Sequence, residues 1–391
     1  MRTIGGLLVT DPARDNVEVG PALTGVRTIL VFAFNLLGDS ICRLPAMEAA
    51  SKSYPGSRVM VVADPRYREV FEGQPFIDEV WVLDRTGSRA AQATAWLNMI
   101  RRARRARPEL VLDLYGSKRT ALVSRLSGAR WRAGLHRRGR SRWYSLRPSA
   151  PLSQSGHIIQ QMNAAVAAAG IAAEFRYVPI AVAGEPHPAL CDIADVSSSG
   201  PSPRAERVRG GEVTAERAEG GEVALVLLNP SARVKAKRWP AERFGQLAAA
   251  LSGQAGLRCA VITAPGEERL VGQVVGASGG AASALPALTI KQLAALVEMA
   301  VLVVTGDTGV LHLATAMGEP SVILAGPTDP GMVAYPGVRQ AVLFHREACA
   351  KWVSGDECAR YNECNERQCI DAIPVDEVVA AVRALLIGTH P

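Results

Sequence analysis

The sequence predicts an α/β protein built from two Rossmann-like, doubly wound domains facing across a cleft. Three observations carry this. Short apolar runs alternate with helix-length segments in both halves of the chain, as parallel sheets covered on both faces require. Several of these runs end in small polar turns, such as Asn35–Asp39 and Thr305–Gly309. Between about Asp192 and Glu222 the composition breaks: S-S-S-G-P-S-P-R and a repeated G-G-E-V hold few apolar residues, which marks a flexible linker. The expected organisation is an N-terminal extension over residues 1–26, a first domain over 27–190, a linker over 191–222 and a second domain over 223–391.

In the first domain, Thr28–Phe34 (T-I-L-V-F-A-F) reads as a buried strand and is followed by a helix through Pro45 to Ala50. Val59–Ala63 and Glu79–Leu83 are short apolar strands, Arg89–Ala106 has helical composition, and Leu110–Leu114 is again a strand. Val178–Val182 is expected as the last strand of this sheet. In the second domain, strands are expected at Val223–Leu228 and Leu257–Thr263, with helices at Ala241–Leu251 and Glu267–Val275. Thr289 is placed to cap a helix over Ile290–Met299. The wholly apolar Val301–Val304 follows, then the turn Thr305–Gly309, a small-residue helix from Val310 to Met317 closed at Gly318, and a strand at Ser321–Ala325. Val375–Leu386 reads as an amphipathic helix.

At 391 residues the chain is long enough for two full cores, and 48% of it is hydrophobic. No segment approaches the roughly eighteen uninterrupted apolar residues of a membrane span. The apolar run before Asp11 is too short for a secretory signal core, so the cytoplasm is the expected location. The net charge of +7 is unevenly spread: seven arginines lie between Arg130 and Arg147 with no acidic residue, and five more between Arg101 and Arg107. Such stretches suit nucleic acid, anionic lipid or a phosphorylated glycan, although Arg101–Arg107 reads first as a solvated helix end, where cations are favourable. Neither has a zinc-finger spacing or an RNA-binding aromatic signature, which argues against nucleic acid. Cys349, Cys358, Cys364 and Cys369 crowd into twenty-one residues without a C-x-x-C pair. Free thiols are the preferred reading, with a bound metal and disulfides as alternatives.

Three places have residue types suited to chemistry. Asp39 lies where a strand ends and a helix begins, fit either to accept a proton or to cap that helix. Lys235-Ala236-Lys237-Arg238-Trp239-Pro240 follows the strand that ends in Asn229-Pro230-Ser231, and a lysine is well suited to a diphosphate. Asp307, Thr308 and Gly309 form a strand–turn–helix junction of the kind that presents backbone N–H groups to an anion, although helix capping alone would also explain them. His312 lies one helical turn further on.

The wording of these stretches resembles glycosyltransferase family 9, the bacterial ADP-heptose:lipopolysaccharide heptosyltransferases and their relatives. G-D-T-G-V-L-H-L-A followed by G-E-P-S-V-I-L-A-G-P-T-D-P is similar to the family's C-terminal signature. L-L-G-D-S-I-C-R-L-P-A resembles its L-G-D motif, and A-K-R-W-P-A-E-R-F its K-x-W-P motif. L-V-L-D-L-Y-G-S-K-R-T and the cysteine-containing tail before I-P-V-D-E-V follow the same order. The resemblance implies a GT-B type, metal-independent, inverting enzyme with no cofactor, a nucleotide-diphosphate sugar as donor, with ADP-heptose foremost, and an anionic glycan or glycolipid as acceptor. It implies Asp39 as general base and Lys237 at the donor phosphates, with Ser231 a weaker hydroxyl contact. Glu267 or Glu268 falls to the nucleoside. Asp307 falls to the sugar hydroxyls, the amides of Thr308 and Gly309 to the diphosphate, and His312 to a supporting role. It also implies peripheral association with the cytoplasmic face of the inner membrane. A different nucleotide sugar with a natural-product or protein acceptor, and a non-catalytic binder of anionic glycan, are the other readings left open.

Overall fold

The computed structural model describes residues 2–4, 7–9, 18–135, 141–147, 157–182, 224–252, 257–349, 358 and 364–387. The linker expected over 191–222 lies outside these residues. The chain divides into two compact units, one of Pro12–Ala181 and one of Met1–Asp11 with Val182–Pro391. Within the region read as a loose extension, strands β1 (Arg2–Ile4) and β2 (Leu7–Val9) pair antiparallel. Strands of three residues are too short for a period-2 pattern to register in the sequence.

In the unit of Pro12–Ala181, chain order runs β3 (Thr28–Ala33), α1 (Leu37–Ile41), α2 (Leu44–Ser53), β4 (Arg58–Ala63), β5 (Glu79–Val82), α3 (Arg89–Ala106), β6 (Leu110–Asp113), α4 (Lys118–Leu126), β7 (Trp131–Gly134) and α5 (Ile158–Ala167). All five strands are parallel, in the order β5-β4-β3-β6-β7. Central β3 is buried on both faces from Ile29 to Ala33. One face sends Leu30 and Phe32 against Trp96, Met99 and Ala103 of α3. Each such side chain contributes about 1.5–3 kcal/mol on burial, so the sheet is stable only with helices over it. The edge strand is β7, not Val178–Val182, which is irregular. Trp131-Arg132-Ala133-Gly134 lacks β-branched residues and carries a charge, so neither propensity nor period announces it.

The second unit continues with β8 (Ala224–Asn229), α6 (Ala241–Ser252), β9 (Leu257–Val261), α7 (Glu268–Ala277), β10 (Ala282–Ala284), α8 (Ile290–Met299), β11 (Leu302–Gly306), α9 (Gly309–Met317), β12 (Ser321–Ala325), β13 (Gln340–Phe344), α10 (Gln368–Asp371) and α11 (Val375–Ile387). Its six parallel strands take the order β10-β9-β8-β11-β12-β13. This is the doubly wound order that reverses between its first and fourth strands. Alternate residues of β12 face opposite layers. Val322 and Leu324 join the core with Phe244, Val378 and Val382, while Ile323 and Ala325 pack with Leu311 and Val333.

A charged cluster ties the end of β4 to the end of β5. Asp64 accepts from Arg66 and from Arg85 Nη2 at 3.0 Å, and the Arg85 guanidinium lies over the rings of Phe34 and Tyr115. Burial pushes the Asp64 pKa up, but the hydrogen bonds from Arg66 and Arg85 outweigh it and hold the carboxyl at about 2. A depressed carboxylate stabilises the fold above its unfolded pKa of about 4 and loses that contribution as pH falls toward 2. Chemical denaturation of wild type and Asp64→Asn between pH 6 and pH 2 is therefore expected to converge, wild type being the more stable only at the upper end. Parallel curves would contradict this.

Candidate active site

In each sheet the loops that carry the chemistry leave the strand ends on either side of the order reversal. There neighbouring connections run to opposite faces and open a crevice. In the second unit these are the loops after β8, β9, β11 and β12. Asn229 closes β8, and its Nδ2 donates to Thr305 Oγ1 at 2.8 Å and Thr308 Oγ1 at 3.0 Å, which ties β8 to the β11 turn. Thr308 is the N-cap of α9, its hydroxyl accepting from the Val310 amide at 3.3 Å. The capping role belongs to Thr308 and not to Asp307, whose carboxylate turns elsewhere.

Asp307 Oδ2 accepts from Lys237 Nζ at 2.7 Å and from Thr328 Oγ1 at 2.9 Å. The two charged side chains are 13% and 16% exposed. Burial would raise the Asp307 pKa, but the charges of Lys237 and His312, with the hydrogen bonds from Lys237 and Thr328, bring it below the ordinary carboxylate value. Both bonds fall on Oδ2, and among the described residues no donor meets Oδ1. His312 lies buried on α9 within the first turn and a half.

The short turn Lys235–Lys237 rests on the ends of β11 and β12. A Cβ on Gly306 would sit 3.1 Å from the Lys237 carbonyl oxygen, and one on Gly326 3.0 Å from that of Ala236, so glycine at both places allows the close approach. Trp239 anchors the turn from behind, 2% exposed, with Nε1 donating to the Ile373 carbonyl and its ring edge-on to Phe244. Arg238 Nη2 holds Glu267 at 2.7 Å while its Nε donates to the Ala232 carbonyl. Glu268 instead accepts from the Gly266 amide, at the start of α7. Ser231 Oγ and Asn229 Oδ1 are enclosed, with no hydrogen-bond partner among the described residues. Ser231, Lys237, Glu267, Asp307, Thr308, Gly309 and His312 thus belong to one sheet's switch point or the helix that leaves it.

Asp39 belongs to the other unit. It lies on α1, directly after β3, and its Oδ2 accepts from Asn35 Nδ2 at 2.6 Å. Asn35 is held at φ +122°, a strained backbone for a residue with a side chain. A pocket of about 370 Å³ opens here, lined by Asn35, Asp39 and Arg43 from β3's side and Tyr115, Gly116 and Ser117 from β6's. Beneath it, Asp113 is fully buried and accepts from the amides of Tyr115 and Gly116 and from Tyr144 Oη at 2.8 Å. Burial is the largest influence and leaves its pKa raised despite those bonds. Gly134 lets the Tyr144 ring through, since a Cβ there would meet it at 2.9 Å. The sequence reading missed Arg43, Asp113 and Tyr144. An aspartate closing an otherwise apolar strand, L-V-L-D-L, was the signal available for Asp113.

Cys358 and Cys369 are buried and Cys349 and Cys364 half-buried, all four as thiols. Burial raises the Cys369 pKa to about 11. Among the described residues no group of three or more His, Cys, Asp or Glu is placed to hold a metal ion. No described helix is long and apolar enough to cross a membrane.

Two doubly wound parallel sheets are the architecture of GT-B type glycosyltransferases, whose solved heptosyltransferase members this chain matches in fold. The sequence model of glycosyltransferase family 9 (heptosyltransferase) matches residues 96–360, and the chain belongs to that family. Lipopolysaccharide heptosyltransferase 1 of Pseudomonas aeruginosa is 25% identical over 340 residues, 82% of this chain and 85% of that protein. The Salmonella typhimurium protein of the same name is 31% identical, but the match spans only 27% of this chain and about a third of its own length (32%). The fold is shared with a family 9 glycosyltransferase from Veillonella parvula, at a TM-score of 0.71 and 21% identity, covering 93% of this chain and 98% of that one. The E. coli heptosyltransferase solved with ADP-2-deoxy-2-fluoro heptose superimposes at a TM-score of 0.62 and 16% identity, covering 91% and 99%.

Removing one partner of a buried ion pair strands the other charge, at a cost of about 3 kcal/mol. Lys237→Met is expected to lower unfolding free energy by that order, and Lys237→Met with Asp307→Asn by clearly less. A double-mutant cycle by urea denaturation reads the difference; additive effects would mean that the pair is not coupled.

Proposed function

We propose that this chain is an inverting glycosyltransferase that transfers a heptose, or a related sugar, from ADP-heptose to a hydroxyl of a lipopolysaccharide core or another anionic glycan. One observation carries the reading. At the switch point of the second sheet, Lys237, the capped start of α9 and the open Oδ1 of Asp307 lie together with an unpartnered hydroxyl on Ser231. This is a set of donors for phosphate oxygens beside an acceptor for sugar hydroxyls. Family membership, and a related fold solved with an ADP-heptose analogue, support the choice of donor.

In this reading Lys237 turns from Asp307 toward the diphosphate, and the first-turn amides of α9 share its charge. Thr308 and Gly309 head that turn, and His312 adds positive character beneath it. Asp307 Oδ1 orients sugar hydroxyls. Glu267, held by Arg238, faces the nucleoside; Glu268 is engaged by the Gly266 amide and is the weaker candidate. Asp39, oriented by Asn35, takes the proton from the acceptor hydroxyl. The acceptor oxygen attacks the anomeric carbon opposite the leaving group, the bond to the diphosphate oxygen breaks, and its electron pair leaves with ADP. Configuration inverts in that single displacement. Charge on the leaving group is met by Lys237 and backbone amides, so the reading calls on no divalent cation.

Calorimetry with ADP, UDP, GDP and dTDP tests the donor half. ADP is expected to bind best, and Lys237→Ala to weaken it about ten- to a hundredfold, the worth of a charge-assisted hydrogen bond. Asp39→Asn is expected to bind ADP as wild type does while transfer falls by about 10²–10⁴. Preference for another base would remove ADP-heptose from the reading, and unimpaired transfer by Asp39→Asn would remove the general base.

A further inference from the structure

Arg43 follows Asp39 by one turn of chain and is 2% exposed. Of its five N–H bonds, only Nε–H has an acceptor among the described residues, the Leu114 carbonyl at 3.0 Å. Nη1 is enclosed with no partner. Neither nearby carboxylate is hydrogen-bonded to it: Asp39 Oδ2 accepts from Asn35, and Asp113 accepts from two amides and Tyr144. Every ion pair found among the described residues leaves Arg43 out. Burial draws its pKa down, with Asp39 and Asp113 acting the other way. A guanidinium nonetheless stays charged in proteins.

A buried, charged side chain with most of its donors idle is costly even with carboxylates nearby, because its desolvated N–H groups stay unpaired. Arg43 lines the same pocket as Asp39. We propose that Arg43 is a specificity-determining residue: it binds an anionic group, carboxylate or phosphate, on the acceptor sugar that presents its hydroxyl to Asp39. The inference rests on the proposed role of Asp39 and adds to it the residue that reads the acceptor's charge. The pocket then holds one cation for the acceptor's charge and one carboxylate for its proton. A planar guanidinium also favours the two oxygens of a carboxylate or phosphate over a neutral hydroxyl.

The test uses the full chain and three probes: glucuronate, glucose 6-phosphate and glucose, titrated by ligand-observed NMR with ADP binding as control. Wild type is expected to bind at least one charged sugar about tenfold or more tightly than glucose. Preference for glucuronate names a carboxylate, and preference for glucose 6-phosphate a phosphate. Arg43→Gln is expected to abolish the preference without changing ADP affinity. If that variant does not fold, two others carry the test. Arg43→Lys is expected to keep a reduced preference, and Asp39→Asn to increase it, because a repelling charge is removed. Equal binding of charged and neutral sugars by wild type, no binding of either charged sugar, or a preference unmoved in these variants would overturn the inference. Loss of ADP binding in wild type would instead defeat the donor reading and leave this one to stand or fall on the sugar titrations.

Discussion

Asp307 sits at the end of a fully buried strand, where an ionised carboxylate persists only with a cation and donors beside it. Much of the second unit's local structure serves that requirement. Lys237 has to reach Asp307, so the turn that carries it lies down on two strand ends, and those ends are Gly306 and Gly326. The turn is pinned from behind by Trp239, whose indole N–H reaches the Ile373 carbonyl just before α11. Thr328, from the end of β12, supplies the second bond. One charged pair therefore gathers the ends of three neighbouring strands, β8, β11 and β12, into one arrangement.

The two switch points handle charge differently. In the second unit, charge is balanced internally: Lys237 with Asp307, and Arg238 with Glu267. Such a site can exchange a protein partner for a ligand at small net cost, as a nucleotide-binding site needs for turnover. In the first unit, Asp113 is satisfied by backbone amides and a tyrosine, while Arg43, close enough to Asp39 and Asp113 to feel their charge, is hydrogen-bonded to neither and keeps most of its donors unpaired among the described residues. Those unpaired donors are the reason to expect an anion there. The strained Asn35 belongs to the same pocket: its φ of +122° carries the amide that meets Asp39.

Much of this was legible in the sequence. Val301–Val304, Ser321–Ala325 and Thr28–Phe34 are apolar enough to announce strands buried on both faces, and Thr289 marks its helix by capping chemistry that the structure reproduces with Gln292. The motifs around Asp39, Lys237 and Asp307 pointed to the family that the comparisons show. What was hidden depends on tertiary neighbours. Strand β7 is an edge with charged and small residues, and β13 (Q-A-V-L-F) is a five-residue run that length alone does not separate from a helix segment. Val178–Val182 has strand composition but pairs with no sheet, since composition does not guarantee a free edge to join. Arg43 looks like one more surface arginine in sequence; only its burial and idle donors distinguish it.

In the proposed function the nucleotide sugar is held at the β8–β11 switch point. Hydrogen–deuterium exchange with and without saturating ADP tests it most directly. Protection is expected over 229–238 and 306–312, with residues 35–43 and 113–117 unchanged. Protection confined to 35–43 and 113–117 would contradict it and place the nucleotide on the other sheet.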